Sequence, residues 1–145
     1  MPEKETLERA EQDKEEGKAP STQAGEFVRE EIEHVREGKH GARSTKQAIA
    51  IGLSKARRAG VDLAAPKKGS TKTRKQAVRD LKKGKKKSAS KSTKRSRATL
   101  QALKREGHSA ASKQALSRHA RSAAKKRSAA SRSRSAKKAA KTREK

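Results

Sequence analysis

The sequence predicts a mostly α-helical protein without a sheet, in which short helical hairpins alternate with long disordered basic segments. Three observations carry this reading. Apolar residues recur at helical spacing between glycine stops in residues 21–63. Hydrophobic residues make up only 28% of the 145-residue chain, and Phe27 is its single aromatic, against roughly 45–50% apolar residues (Gly included) in an ordinary globular domain. Lys and Arg number 42 against 16 Asp and Glu, a net charge of +26. A chain this charged and this poor in apolar surface lacks the burial that would offset the entropy of ordering every residue.

Residues 1–20 read as an acidic, polar helical arm. Glu, Lys, Arg, Leu and Ala favour a helix over 3–16, Gly17 stops it, and only Leu7 and Ala10 give it an apolar side. Residues 21–63 read as an amphipathic hairpin. Ser21 or Thr22 caps a helix that ends at Gly38. Ser44 and Gln47 then form a capping box that opens a second helix, ended by Gly60. A short loop joins the two, so an antiparallel pair is expected. Phe27, Val28, Ile32 and Val35 would face Ile49, Leu53 and Ala56. So few apolar side chains make a marginal unit, expected to gain order by self-association or on a bound polyanion.

Residues 64–96 read as a Lys-rich linker. Within it Thr73 and Gln76 form a second capping box, and Gly84 closes a short helical stretch with Ala77, Val78 and Leu81. Residues 97–121 read as a second, shorter helical pair, the first member stopping at Gly107 and the last starting at Ser109 or Ser112. Residues 122–145 contain no large apolar side chain, and this Ser/Ala/Lys/Arg tail is expected to be disordered when free. Lys-Gln-Ala plus an apolar residue occurs three times, at Lys46, Lys75 and Lys113, near expected helix starts. Each is a good way to begin a helix, and each also offers a Lys where free amides could meet a phosphate.

Charge is split along the chain. Residues 1–37 hold twelve acids and six bases; the rest holds 36 bases and four acids. A block this basic binds polyanions by releasing their condensed counterions. Single-strand binders rely on aromatic platforms, which this chain lacks. Duplex DNA, gripped through its phosphates and read without base specificity, is therefore the expected partner in preference to RNA. Lys46, Arg57 and Arg58 supply charge beside the hairpin. Lys82, Lys83, Lys85, Lys86 and Lys87 do so in the linker. Arg95, Arg97, Lys104, Arg105 and Lys113 follow, and the tail adds Lys125, Lys126, Arg127, Arg132, Arg134, Lys137 and Lys138. Two alternatives use the same residues differently: an RNA- or ribosome-associated factor, or a hairpin over 21–63 that docks a protein partner while the tail acts as a tether.

Other classes are disfavoured. Without Cys there are no disulfides or thiolate metal sites. His34 and His40 lie six residues apart, outside the usual ligand spacings, so no metal site and no cofactor are expected. Carboxylates such as Glu30, Glu33 and Glu37 read as an exposed polar face, so no catalytic residues and no enzyme are expected. No apolar run approaches the roughly 18 residues that cross a bilayer, and the basic helices lack an apolar face for lipid, so no membrane partner is expected. The charged first 18 residues are unlike a secretory signal, so a cytoplasmic location is expected, and the DNA-binding reading puts it at the nucleoid.

The stretch GEFVREEIEHVREGKHGARSTKQAIAIGLSKARRAG resembles an uncharacterised family of small basic bacterial proteins, a domain of unknown function, over about residues 1–65. The tail, with AAKKRSAA and SAKKAAK, resembles bacterial linker-histone-like proteins in composition. Together these resemblances imply a bacterial source and a DNA-associated role. They imply no site residues.

Overall fold

A computed structural model of the chain describes residues 1–86 and 92–143. These form seven α-helices and one 3-10 turn, with no strand among the described residues: α1 (Lys4–Glu15), α2 (Pro20–Arg36), α3 (Thr45–Arg58), α4 (Thr71–Lys85), α5 (Thr93–Lys104), the turn Ser109–Ala111, α6 (Lys113–Lys125) and α7 (Ala129–Arg143).

Local signals set most of these boundaries. α2 begins with Pro20 in its first turn, where the missing N–H is no loss. Gly38 and Gly60 adopt φ of +75° and +103° just beyond α2 and α3, a left-handed conformation that reverses the chain cheaply only at glycine. Serine hydroxyls cap α3, α4, α5 and α6: Ser44, Ser70, Ser92 and Ser112 accept from the amides of Gln47, Thr73, Arg95 and Ala115. The box at Ser44 is shifted at its return arm. The Gln47 amide oxygen accepts from Arg43 N–H rather than from Ser44.

The expected hairpin forms, and its core lies in two clusters. Phe27 packs with Ala10, Ala24, Ala56 and Val61, with Leu53 and Leu63 at the edge. Ile32 and Val35 pack with Ala42, Ala48, Ala110 and Ala111, flanked by Val28 and Leu116. Ile49, expected on the inner face, is only half-buried; Ala48 takes the core position instead. The buried face of α3 is thus Thr45, Ala48, Gly52 and Ala56, a row of small side chains. The reason is proximity: a Cβ on Gly52 would sit 2.6 Å from Val28 Cα and 3.0 Å from the Phe27 carbonyl, so the backbones cross at a spacing that larger residues would prevent.

Two expectations are corrected. Residues 64–96 are not simply a linker, because α4 is docked on α3. Its N-cap is Ser70, so the expected box at Thr73 lies inside the helix, and Gln76 donates to Asp80 Oδ1 instead. The face toward α3 carries Ala77, Asp80 and Gly84. Asp80 is 1% exposed and accepts from Ser54 Oγ at 2.7 Å and Arg58 Nε at 2.7 Å. Gly84 lies within α4 rather than closing it; a Cβ there would overlap the Arg57 carbonyl. The second correction concerns the tail, which is helical through Arg143 rather than disordered, although α7 buries no residue. Good helix formers and the Ser128 hydroxyl, which accepts from Ser131 N–H at 3.2 Å, account for a helix that needs no packing.

The hairpin's apolar faces are covered from within the chain. α1 lies along α2. The segment before α6 is stitched to the hairpin loop by main-chain bonds from Gly41 N–H to Leu103 O (2.9 Å) and Ala42 N–H to Gly107 O (3.0 Å). Thr45 Oγ1 donates to Ala110 O at 2.6 Å, and Arg36 Nε to Ala111 O at 2.9 Å. Gly41 is required here, since a Cβ would collide with the Glu106 carbonyl.

Candidate nucleic-acid interface

The first 37 residues spend their acids locally. Arg9 bridges Glu5 and Glu26, Lys18 pairs with Asp13 and Glu16, and Lys39 with Glu3 and Glu37. Lys18 and Lys39 are held above the ordinary lysine range by the hydrogen bonds they donate, Lys18 to Asp13 and Glu16 and Lys39 to Glu3 and Glu37. Among the described residues, the Lys, Arg and His side chains that pair with these acids lie between Lys4 and Lys55. The acidic part is therefore paired within itself and with the hairpin, and its ion pairs do not reach the basic part.

The basic part is left open. Between residues 72 and 143 every described Lys and Arg is exposed, and among the described residues none forms an ion pair. Its one deeply buried acid, Asp80, is already held by Ser54, Arg58 and Gln76. Lys82, Lys83, Lys85 and Lys86 crowd the last turn of α4; Lys87 lies outside the described residues. Arg95, Arg97 and Lys104 project from α5 and Arg105 from its C-cap. Lys125 and Lys126 end α6, and Arg132, Arg134, Lys137 and Lys138 line α7. Arg127 is exposed but engaged, donating to Ser131 O and to the hydroxyls of Ser131 and Ser135.

Two sequence candidates have other work. Arg57 is buried and donates to Leu63 O (3.0 Å) and Ala64 O (3.2 Å), pinning the chain that leaves α3. Burial pushes its guanidinium below the ordinary arginine range, partly opposed by the charge of Asp80. Arg58 is half-exposed and bound to Asp80. Of the three Lys-Gln-Ala copies, Lys46 and Lys113 lie in the first turns of α3 and α6, whereas Lys75 lies in the body of α4. The Thr45–Ala110 bond brings those two first turns together, with Lys46 and Lys113 both exposed. Residues that sequence reasoning passed over include Lys72, Arg74, Lys75, Arg79, Arg118 and Arg121, all exposed on α4 and α6. Arg36, also passed over, holds the turn before α6.

A second polar centre sits where α2 meets the loop to α3. Glu30 and Glu31 are 3% and 0% exposed, and Lys55 reaches both, at 3.2 and 2.6 Å. Burial pushes the Glu30 carboxyl up, but bonds from Glu3 N–H, Thr6 and Lys55 outweigh it and leave it below the ordinary range. His40 is buried; its Nδ1 lies 3.0 Å from Gly41 O and its Nε2 3.3 Å from Glu31 Oε1. His34 Nε2 lies 2.8 Å from Glu3 Oε1. Hydrogen bonds from His34 and Lys39 hold the Glu3 carboxyl down to about 2, so it is an acceptor.

Residues 13–68, the end of α1 through the hairpin and its exit, match the model of a family of unknown function (DUF6496). That span is under half of the chain and leaves α4 to α7 outside it. No match was found among curated proteins or among solved structures. No helix among the described residues is long and apolar enough to cross a membrane.

Proposed function

We propose that the protein is a non-enzymatic, nucleoid-associated DNA-binding protein that grips duplex DNA through phosphates with little sequence preference. One observation carries this reading: among the described residues the Lys and Arg side chains of residues 72–143 are exposed without acidic partners, while the ion pairs of the acids in residues 1–37 fall within residues 3–55. Unpaired surface cations on helices meet phosphates with little reorganisation, and each contact releases counterions. The helices that carry them present Ser and Ala between the charges rather than aromatic platforms, which favours backbone contact over base stacking. The compositional likeness of the tail to linker-histone-like proteins points the same way.

The test is binding to a random duplex between about 50 and 300 mM salt. Six or more phosphate contacts give a log–log slope near −5 or steeper, with little difference between duplexes of unrelated sequence. A flat slope, or tighter binding to structured RNA than to duplex at equal salt, overturns the reading.

A further inference from the structure

The geometry points to a divalent-cation site of the zinc class formed by Glu31, His34 and His40 at the junction of α2 with the loop to α3. One ligand-type atom from each residue lies within 4.8 Å of the others. Ligands about 2.0–2.1 Å from a tetrahedral zinc lie roughly 3.3 Å from one another. The Glu31 Oε1 to His40 Nε2 separation is already 3.3 Å, so the adjustment falls to His34, at the partly open end of the cluster with its side chain 13% exposed.

The outer nitrogens are committed in the way metal-bound imidazoles usually are. Gly41 O can only accept, so His40 Nδ1 donates to it, and Nε2 is the atom that faces Glu31 Oε1. The ionised Glu3 likewise accepts from His34 Nε2, which leaves Nδ1 on the side of the buried carboxylates, 3.9 Å from Glu30 Oε1. Each ring thus turns its second nitrogen toward a buried carboxylate oxygen, a position that either a proton or a metal ion can bridge.

Charge gives an independent argument. Glu30 and Glu31 bring two buried carboxylates against one ammonium, Lys55. Lys55 stands on Glu31 Oε2, leaving Oε1 for another cation, and neither Glu31 oxygen receives a well-directed hydrogen bond. A buried carboxylate oxygen without a hydrogen bond is costly. Two neutral imidazoles and a carboxylate, with a fourth position for water, suit zinc better than magnesium or calcium, which prefer all-oxygen shells. The bound ion would lock the turn that sets the angle between α2 and α3.

The experiment uses the full chain, stripped with a chelator and titrated with zinc by calorimetry and with cobalt(II) by visible absorption. The expected result is one equivalent bound with Kd on the order of 10 μM or tighter, tetrahedral cobalt bands, and a raised melting temperature. His34→Ala, which removes a partly exposed ring, and His40→Ala are each expected to weaken binding at least about tenfold; circular dichroism confirms that each variant is folded. His108→Ala serves as the control and leaves binding unchanged. Absence of stoichiometric zinc binding overturns the proposal, as does equal affinity in folded His34→Ala and the native chain. Duplex binding is measured separately, so failure of one reading leaves the other standing.

Discussion

Arg58 Nε donates to Asp80 Oδ1 at 2.7 Å across the α3–α4 contact, and the carboxylate it meets is 1% exposed. Ser54 and Gln76 complete the shell of that carboxylate. An acid in a basic stretch thus becomes the anchor that turns an expected linker into a docked helix. Asp80→Ala leaves Ser54 without its acceptor, although half-exposed Arg58 can return to water. The expected loss is about 1–3 kcal/mol in urea unfolding. Amide exchange in residues 71–85 should quicken more than in α2. Unchanged protection of α4 would refute this role.

Gly52 and Gly25 provide a matched pair. Gly52→Ala places a Cβ 2.6 Å from Val28 Cα, forcing the hairpin apart at an expected cost of about 1–3 kcal/mol. Gly25 is an exposed helical residue of α2, and a Cβ there meets nothing within 4 Å. Gly25→Ala should therefore stabilise by about 0.5–1 kcal/mol. Equal effects from the two substitutions would show that helix propensity, not the crossing, governs both.

Arg57 and the lysines of α4 should separate stability from affinity. Arg57→Ala removes two bonds to main-chain carbonyls and is expected to cost about 1–3 kcal/mol while leaving the salt slope of duplex binding unchanged. Replacing Lys82, Lys83, Lys85 and Lys86 together by Ala should leave the melting temperature nearly unchanged. Their slope contribution falls by up to roughly 0.9 per lost phosphate contact. A slope change in Arg57→Ala, or none in the lysine variant, would contradict this division.

Acid should loosen the α1–α2 contact before it melts the helices. Glu3 and Glu30 both titrate below their ordinary value of 4.5, Glu3 at about 2. A depressed folded-state pKa means a contribution that is fully present above 4.5 and lost as pH falls toward 2. Melting temperature should therefore be insensitive to these groups from pH 7 to about 5 and decline below that. Glu3→Gln should flatten part of that decline. Parallel acid limbs for the native chain and Glu3→Gln would remove Glu3 from the account.

The hairpin was largely legible because its signals are local. Expected helices of about 22–37 and 44–59 became Pro20–Arg36 and Thr45–Arg58, and Phe27, Ile32, Val35 and Ala56 took the core positions expected of them. Ile49 did not, because at Gly52 the helices approach too closely for a branched residue to lie on the facing row. The docking of α4 was not legible: Asp80 finds Ser54 and Arg58 22–26 residues away. The Glu31–His34–His40 cluster left a faint signal, a carboxylate and imidazole three apart on one helix face followed by a turn glycine. Only the reversal at Gly38 shows that His40 comes back to them.

By itself the sequence determined a helical chain without a sheet, the hairpin at residues 21–63, and the separation of an acidic start from a long basic remainder. Composition, caps and glycine stops act over a few residues, and so they can be read from a few residues. The tertiary structure alone decided which charges are spent and which stay free. Arg57 and Asp80 are buried by contacts that sequence spacing does not reveal, while the lysines that end α4 stay in solvent. Burial is a property of the packed chain, and a charge changes its role when its water is replaced by a partner.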